Sequence, residues 1–417
     1  MTAVLSVPID RDQLMDDLDQ LSRIGRTIEG GVSRPAFSVQ DKKARAKVKK
    51  WMVKAGLDVR EDPAGNITGT RNGVGTNLPA IMTGSHLDTV PNGGRFDGAL
   101  GVLGALETIR ALNRAGIKTL RSIRMIVFAA EEPNSFGFSA FGSRVLAGRF
   151  PPSWLERTYR NVSFSRVLSR TGGDSEALSA ARISPTEIAA FVELHIEQGP
   201  VLESRCIPIG IVSVLAGICR LRVQVSGRAD HAGTVPMGRR KDALAAASEV
   251  VLALEAICRS RSEEVVGTAG AIVVEPNQVN VVPRRVQLEV DLRGYDQEVL
   301  NAVRKELEGA CTKIETERSV EIDLQSVSEE PPIPLPQDLS GIVAETCRSM
   351  NIPYLLMPSG AGHDANHMAK ITKTAVIFVP SRNGLSHCPE EWTDEENLGL
   401  GVRVLAETII KLANKDG

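Results

Sequence analysis

Four short apolar runs in this chain lead into segments that carry ionisable side chains, and no other feature constrains its fold so tightly. Residues 78–82 lead into Gly84-Ser85-His86, and residues 122–130 (Ser-Ile-Arg-Met-Ile-Val-Phe-Ala-Ala) end on Glu131-Glu132. Residues 190–194 end on His195, and residues 375–380 stop just before the 383–387 loop that carries His387. Near-continuous apolar runs of this length read as strands buried on both faces, the mark of a sheet covered by helices. Helical periodicity falls before and between them, at 12–32, at 38–56 with a basic outer face, and at 97–115. A pair of short strands is expected at 58–61 and 66–71. Strands alternating with helices indicate an α/β sheet. In such sheets the chemistry collects beyond strand ends, where His86, Glu131, Glu132, His195 and His387 all fall.

The middle of the chain has a different rhythm. Residues 221–226 alternate apolar and polar, as do 286–293, so each reads as a half-exposed strand. With helices at 241–259 and 296–316 and strands at 269–274 and 320–324, the order is β-α-β-β-α-β, that of a ferredoxin-like unit. The proline-rich stretch 331–336 reads as a stiff return linker. The expected architecture is one α/β domain, residues 1–212 and 330–417, interrupted by a ferredoxin-like α+β domain at 213–329. A length of 417 residues is ample for two cores.

Composition removes several function classes. A net charge of −2 gives no electrostatic basis for binding nucleic acid or an anionic membrane. No run approaches the roughly 20 apolar residues a membrane span needs. The six cysteines are widely spaced, with no CxxC pair, and read as reduced thiols of a cytoplasmic protein. The N-terminus shows no basic segment followed by an apolar core, so no signal peptide is expected.

The richest chemistry lies in residues 84–101, where His86, Asp88 and Asp97 sit among glycines. An imidazole and two carboxylates suit a divalent cation. Carboxylates in glycine loops also form turns and cap helices, and this segment alone leaves both readings open. The six histidines extend the case. His86, His195, His231, His363 and His387 each close an apolar run or sit in a glycine-containing turn. Neighbouring Glu131 and Glu132 cannot point the same way in an extended chain, so one can bind metal while the other stays free. A divalent ion lowers the pKa of its bound water to roughly 7. A free carboxylate beside it can take that proton and pass it to a leaving nitrogen. Two glutamates capping a following helix are the competing reading.

Eight segments in order then resemble one family. They are GSHLDTVPNGGRFDG (84–98), AEEPNSFG (130–137), ELHIEQGPVLE (193–203), GRADHAGTVPM (227–237), NVVP (280–283), DLRG (291–294), SGAGHDA (359–365) and SRNGLSHCPEEW (381–392). Together they resemble the amidase, hydantoinase/carbamoylase branch of the M20 metallopeptidase superfamily. The resemblance implies a catalytic dinuclear-metal domain with an inserted lid and dimerisation domain. It implies two divalent ions per subunit, zinc in the first instance, with manganese, cobalt or nickel able to use the same ligands. His86 and His195 would hold one ion, Glu132 and His387 the other, and Asp97 would bridge them. Glu131 would be the general base, and Asp88 would orient His86. Gln198 would face the substrate, Arg293 would clamp its carboxylate, and Asn280 and the backbone at Gly362 would hold the same end. His363 would line the pocket, and His231 would enter a partner subunit's site to stabilise the oxyanion, which implies a homodimer. His367 and Cys388 read as packing or surface residues.

The implied substrate is a small ureido or carbamoyl carboxylate. An N-carbamoyl-L-amino acid hydrolase ranks first, ahead of an allantoate amidohydrolase or β-ureidopropionase. The proline after the glutamate pair, Pro133, is a feature of allantoate-type members. An M20 aminoacylase or dipeptidase is disfavoured because a carboxylate usually stands where His195 does. A non-catalytic metal-binding protein would have lost the base or a ligand, and none is lost here.

Overall fold

The computed structural model describes residues 7–415. The signal-peptide reading falls partly on residues 1–6, outside the described residues. The chain forms two compact units. The larger runs through Ser213 and resumes over Leu335–Met357 and from Ala361, while the smaller comprises Val214–Pro334 with Pro358–Gly360.

At the centre of the larger unit lie four parallel strands, in the order Ile123–Phe128, Ala80–His86, Ile188–Ile196, Lys373–Val379. Every residue of Ala80–His86 is buried, as is nearly all of Ile188–Ile196, because helices cover both faces. The helix Ala99–Arg114 is buried over most of its length and packs with Glu395–Ala413. Antiparallel strands flank the centre: Ile67–Arg71 and then Asp58–Glu61 on one side, Ile209–Leu215 on the other. The register brings the ends of the central strands level. Parallel pairing sets His86 beside Phe128 and His195 beside Phe378, so the chain leaves adjacent strands at one edge of the sheet.

Between residues 133 and 187 periodicity offers no regular element, and the structure places an aromatic cluster there. Phe37, Phe136, Phe138, Phe141, Phe150 and Phe164 pack with Trp154, mostly edge to face at centroid separations of 4.8–6.3 Å. Five of the ten phenylalanines thus lie in the segment that follows Glu131-Glu132, and Phe37 packs against them. Arg157 stacks on Trp154 at 4.3 Å and donates to the Gly137 carbonyl, closing the cluster.

The smaller unit is a four-stranded antiparallel sheet in the order Val265–Glu275, Arg285–Gly294, Gly217–Ser226, Glu321–Glu330. That order, with Ala243–Arg259 and Gln297–Arg318 as its helices, is the ferredoxin-like arrangement. Gly217–Ser226 alternates buried and half-buried residues along its whole length. Asp242 and Asp296 cap the two helices by accepting from N–H groups of their first turns.

Two expectations change. The first helix ends at Ser22 rather than 32, because Gly25 takes a left-handed conformation and the chain doubles back to bridge Arg26 with Val32. The proline-rich stretch, expected as a stiff return linker, takes part in a sheet. Ile333 and Pro334 pair with Leu215 and Val214 as an edge strand, where proline's missing N–H costs nothing. No helix among the described residues is long and apolar enough to cross a membrane.

Phe141 is fully buried and touches four other aromatic rings, so Phe141→Ala should cost about 3–5 kcal/mol. Urea unfolding measures this, and a loss below ~1 kcal/mol would show that the cluster does not carry the segment.

Candidate metal centre

The strand ends deliver their ionisable groups to the same edge of the sheet. His86 closes its strand, and His195 is the second-last residue of its own. Beyond Phe128 the chain makes a left-handed turn at Ala130 (φ 55°). The N–H groups of Ala140, Phe141 and Gly142 hold that turn by donating to the carbonyls of Glu131, Ala130 and Ala129. The turn aims Glu131 and Glu132 to different places. Glu131 Oε2 lies 3.9 Å from His86 Nε2, and Glu132 Oε1 lies 3.3 Å from His387 Nε2. Gly98, also left-handed (φ 62°), leaves the room His86 needs, since a Cβ there would collide with the imidazole.

Two triads result, His86–Asp97–His195 and Asp97–Glu132–His387, each with ligand atoms within 4.8 Å of one another. Asp97 belongs to both. Oδ1 lies 3.4 Å from both His86 Nε2 and His195 Nε2, and Oδ2 lies 3.2 Å from His387 Nε2. The other ring nitrogens decide what these distances mean. His86 Nδ1 meets the Asp88 carbonyl at 3.0 Å, and His195 Nδ1 meets the Ile196 carbonyl at 2.9 Å. A carbonyl only accepts, so Nδ1 carries the proton in each ring and Nε2 of the neutral imidazole presents a lone pair. The Gly98 N–H, 3.2 Å from His195 Nε2, points at that lone pair. Nitrogen lone pairs therefore face a carboxylate oxygen, acceptor against acceptor. Separations of 3.2–3.4 Å are long for charge-assisted hydrogen bonds. They match two ligands held about 2.0–2.1 Å from one tetrahedral cation, whose donor atoms sit roughly 3.3 Å apart. The residues fit a pair of divalent ions.

Without a cation, protons must hold the cluster together. Burial pulls His86 and His195 down, but their bonds to Asp97 and the surrounding carboxylates outweigh it and raise both. Hydrogen bonding to Asp97 and Glu132 lifts the exposed His387 to about 10. Burial alone would raise Asp97, yet three imidazoles hold it well below the usual carboxylate range. Glu131 goes the other way. Burial first, then Glu132, Asp364 and Asp88, keep it well above the usual range in spite of His86.

Other side chains hold this group in place. Asp88 meets His86 through its backbone carbonyl rather than through its carboxylate, whose nearer oxygen is 3.7 Å away. That carboxylate instead accepts from the N–H groups of Glu131 (3.2 Å) and Glu132 (3.0 Å), which the left-handed turn at Ala130 directs toward it. Gln198 Nε2 donates to Asp97 Oδ2 at 2.7 Å and lies 3.3 Å from His387 Nε2. The His363 ring packs against His195 at 4.7 Å.

Arg34, Glu193 and Glu391 were not expected. Arg34 is buried and donates to the Leu87 carbonyl at 2.5 Å, pinning the turn between His86 and Asp88. Glu193 is buried and accepts from Ser85 (2.7 Å) and the Ala365 N–H (3.0 Å), tying two strand ends together. An ionisable residue inside an apolar run, as in Phe-Val-Glu193-Leu-His, was the available signal for Glu193.

The remaining candidates lie elsewhere. His231 and Asn280 are neighbours in the smaller unit on a two-stranded ribbon, where His231 pairs with Val281 and the Asn280 carbonyl accepts from Ala232. Arg293, in the same unit, bonds Asp291 at 2.7 Å and the Gly360 carbonyl at 3.1 Å. Gly362 is half-buried in the larger unit. His363 precedes the helical turn Ala365–Met368, and His367 is buried in that turn with Nδ1 unpartnered. Cys388 is half-buried.

The profile of peptidase family M20/M25/M40 matches residues 82–411. An N-carbamoyl-L-amino acid amidohydrolase of Geobacillus stearothermophilus is 37% identical over 406 residues, covering 97% of this chain and 99% of its own. A ureidoglycolate hydrolase of Arabidopsis thaliana is 38% identical over 418 residues, covering 98% of this chain and 88% of its own. The crystal structure of a hydantoinase/carbamoylase family amidase from Burkholderia multivorans superposes with a TM-score of 0.90 at 34% identity, covering 99% of this chain and 100% of that one.

Because protons and cations compete for the same lone pairs, loading chelator-stripped protein with zinc at pH 7 should release protons. Calorimetry in buffers of different ionisation enthalpy counts them, and zero release would contradict the assignment. The sign for stability follows from His387. Its raised pKa stabilises the stripped protein fully below about pH 6.5, and that contribution is lost as pH rises toward about 10. The melting temperature of stripped protein should fall across that window, and that of loaded protein should change less.

Proposed function

The chain belongs to peptidase family M20/M25/M40 and is a hydrolase of C–N bonds, and within that family we propose that it cleaves the ureido C–N bond of an N-carbamoyl-L-amino acid. One observation carries the reading. Two ligand triads share Asp97, while Glu131 stays outside both, buried and 3.9 Å from a ligand nitrogen. Family members use divalent metals, and His86, His195 and Asp97 would hold one ion here, with Asp97, Glu132 and His387 holding the other. When bound, the ions supply Lewis acidity and lower the pKa of a water to roughly 7.

The chain's own groups do the rest. Glu131, a carboxylate disposed to accept a proton, takes one from the attacking water and returns it to the departing nitrogen. Its backbone is fixed by Asp88 and by the Ala140–Gly142 hydrogen bonds, so the carboxylate reaches the reacting atoms without reorganising. Gln198, held against Asp97 and His387, offers its amide to the substrate. Within the smaller unit, Arg293 would supply a planar fork for the substrate carboxylate and Asn280 a polar side chain. His231 accepts the Gly233 N–H on Nδ1 at 3.0 Å, which leaves the proton on Nε2. That nitrogen suits an oxyanion donor contributed by a second copy of the chain.

A second reading is a ureide hydrolase of the allantoate or ureidoglycolate kind. It is favoured by Pro133 and by the 38% identity to the plant relative, which equals the similarity to the carbamoylase within one percentage point. A turnover panel on metal-reconstituted protein separates the readings by ammonia release. It compares N-carbamoyl-L-amino acids, N-carbamoyl-β-alanine, allantoate, ureidoglycolate and N-acetyl amino acids. The highest kcat/KM should fall on an N-carbamoyl-L-amino acid, and preference for an N-acetyl amino acid would overturn the ureido assignment altogether.

Glu131→Gln should keep its metal content and lose roughly 10²–10⁴-fold in kcat. Near-normal turnover would remove Glu131 from proton transfer. Arg293→Ala should raise KM chiefly for carboxylate-bearing substrates, and an equal loss on an uncharged amide would contradict the clamp.

A further inference from the structure

The segment Ser-Arg-Asn-Gly-Leu-Ser-His-Cys-Pro-Glu-Glu-Trp (381–392) gives the centre only one ligand, His387, yet its other end is turned inward as well. Glu391 is 2% exposed, although glutamate is almost never buried without partners. Its Oε1 accepts two backbone N–H groups, Phe96 at 2.8 Å and Asp97 at 3.2 Å. Its Oε2 accepts the Ser386 hydroxyl at 2.7 Å. The same hydroxyl lies 3.1 Å from Asp97 Oδ2, so one proton is shared between two carboxylates.

We propose that Glu391 is a positioning residue that clamps the Asp97 loop to the His387 loop, holding the shared ligand Asp97 in place before any cation arrives. The proposal rests on the dinuclear reading of the centre. Several independent features shape the clamp. The Arg382 N–H donates to the Trp392 carbonyl at 2.8 Å, which closes the loop so that its base faces the 94–97 turn. Trp392 packs edge-on against Phe96 at 5.7 Å, fixing the partner loop from the other side. Gly94 leaves the space the carboxylate occupies, since a Cβ there would overlap the carboxyl carbon of Glu391. Its φ lies outside the left-handed region, and the atoms nearest to an added Cβ are those of the Glu391 carboxylate. A carboxylate that merely satisfied loop amides would need no tie to Ser386 and Asp97 Oδ2.

Amide exchange on chelator-stripped protein tests the clamp without reference to metal. In Glu391→Ala the Phe96 and Asp97 amides should exchange ~10-fold faster or more, while those of Ala80–His86 stay protected and report an intact fold. Zinc titration of the same variant should show affinity lowered by about 10–100-fold. Glu391→Gln keeps Oε1 as an acceptor and should retain most of the amide protection. Gly94→Ala should reproduce the Glu391→Ala effect in the native background and add nothing when Glu391 is already alanine. Unchanged amide exchange in Glu391→Ala, or simple additivity of the two substitutions, would overturn the clamp. If the native protein bound no divalent ion, the metal reading would fall, and the exchange experiment would still decide for or against Glu391.

Discussion

Two imidazole lone pairs aimed at one carboxylate oxygen repel unless a cation or a proton lies between them, and much of this structure exists to hold that arrangement. His86 and His195 are committed to it by their Nδ1 bonds to backbone carbonyls, which leave Nε2 no proton to donate while the ring is neutral. Asp97 receives both on one oxygen and His387 on the other. Left to itself such a cluster would spread or fill with protons. It stays compact because the chain reaches it from four directions, each stiffened by something buried.

The stiffening follows from the sheet. Parallel strands with both faces covered cannot slide, so the residues at their ends share one level. Short polar ties then fix what leaves the strands: Arg34 on the Leu87 carbonyl, Asp88 on the N–H groups of Glu131 and Glu132, Glu193 on Ser85 and Ala365. The aromatic cluster behind residues 136–164 gives the glutamate turn a rigid backing. So many buried ionisable groups would destabilise a small fold, and the large apolar core of this unit offsets that cost.

Much of this could be read from the sequence, and the failures have physical reasons. The strands that lead toward His86, Glu131, His195 and His387 were visible because apolar runs long enough to cross a buried sheet leave a plain signal, although the strand before Glu131 stops at Phe128, two residues short of its expected end, where the chain turns. So was the β-α-β-β-α-β order of the smaller unit, whose half-exposed strands alternate. The aromatic segment was not, because its contacts join residues far apart in sequence with no period of 2 or 3.6 between them. Arg34 and Glu391 were also missed. Each acts on a backbone group more than 50 residues away, a pairing that only the folded chain creates. Asp88 lies two residues from His86, and its backbone carbonyl rather than its carboxylate meets the ring. Which of its oxygens does the work depends on the left-handed turn at Ala130, 42 residues later.

The central claim is that Asp97 is shared by two cations, with His86 and His195 on one and Glu132 and His387 on the other. Anomalous diffraction from crystals grown with zinc, collected on both sides of the metal absorption edge, tests it most directly. The account predicts two peaks per chain about 3.5–4 Å apart, with Asp97 between them. A single peak, or two that leave Asp97 bound to only one ion, would contradict it.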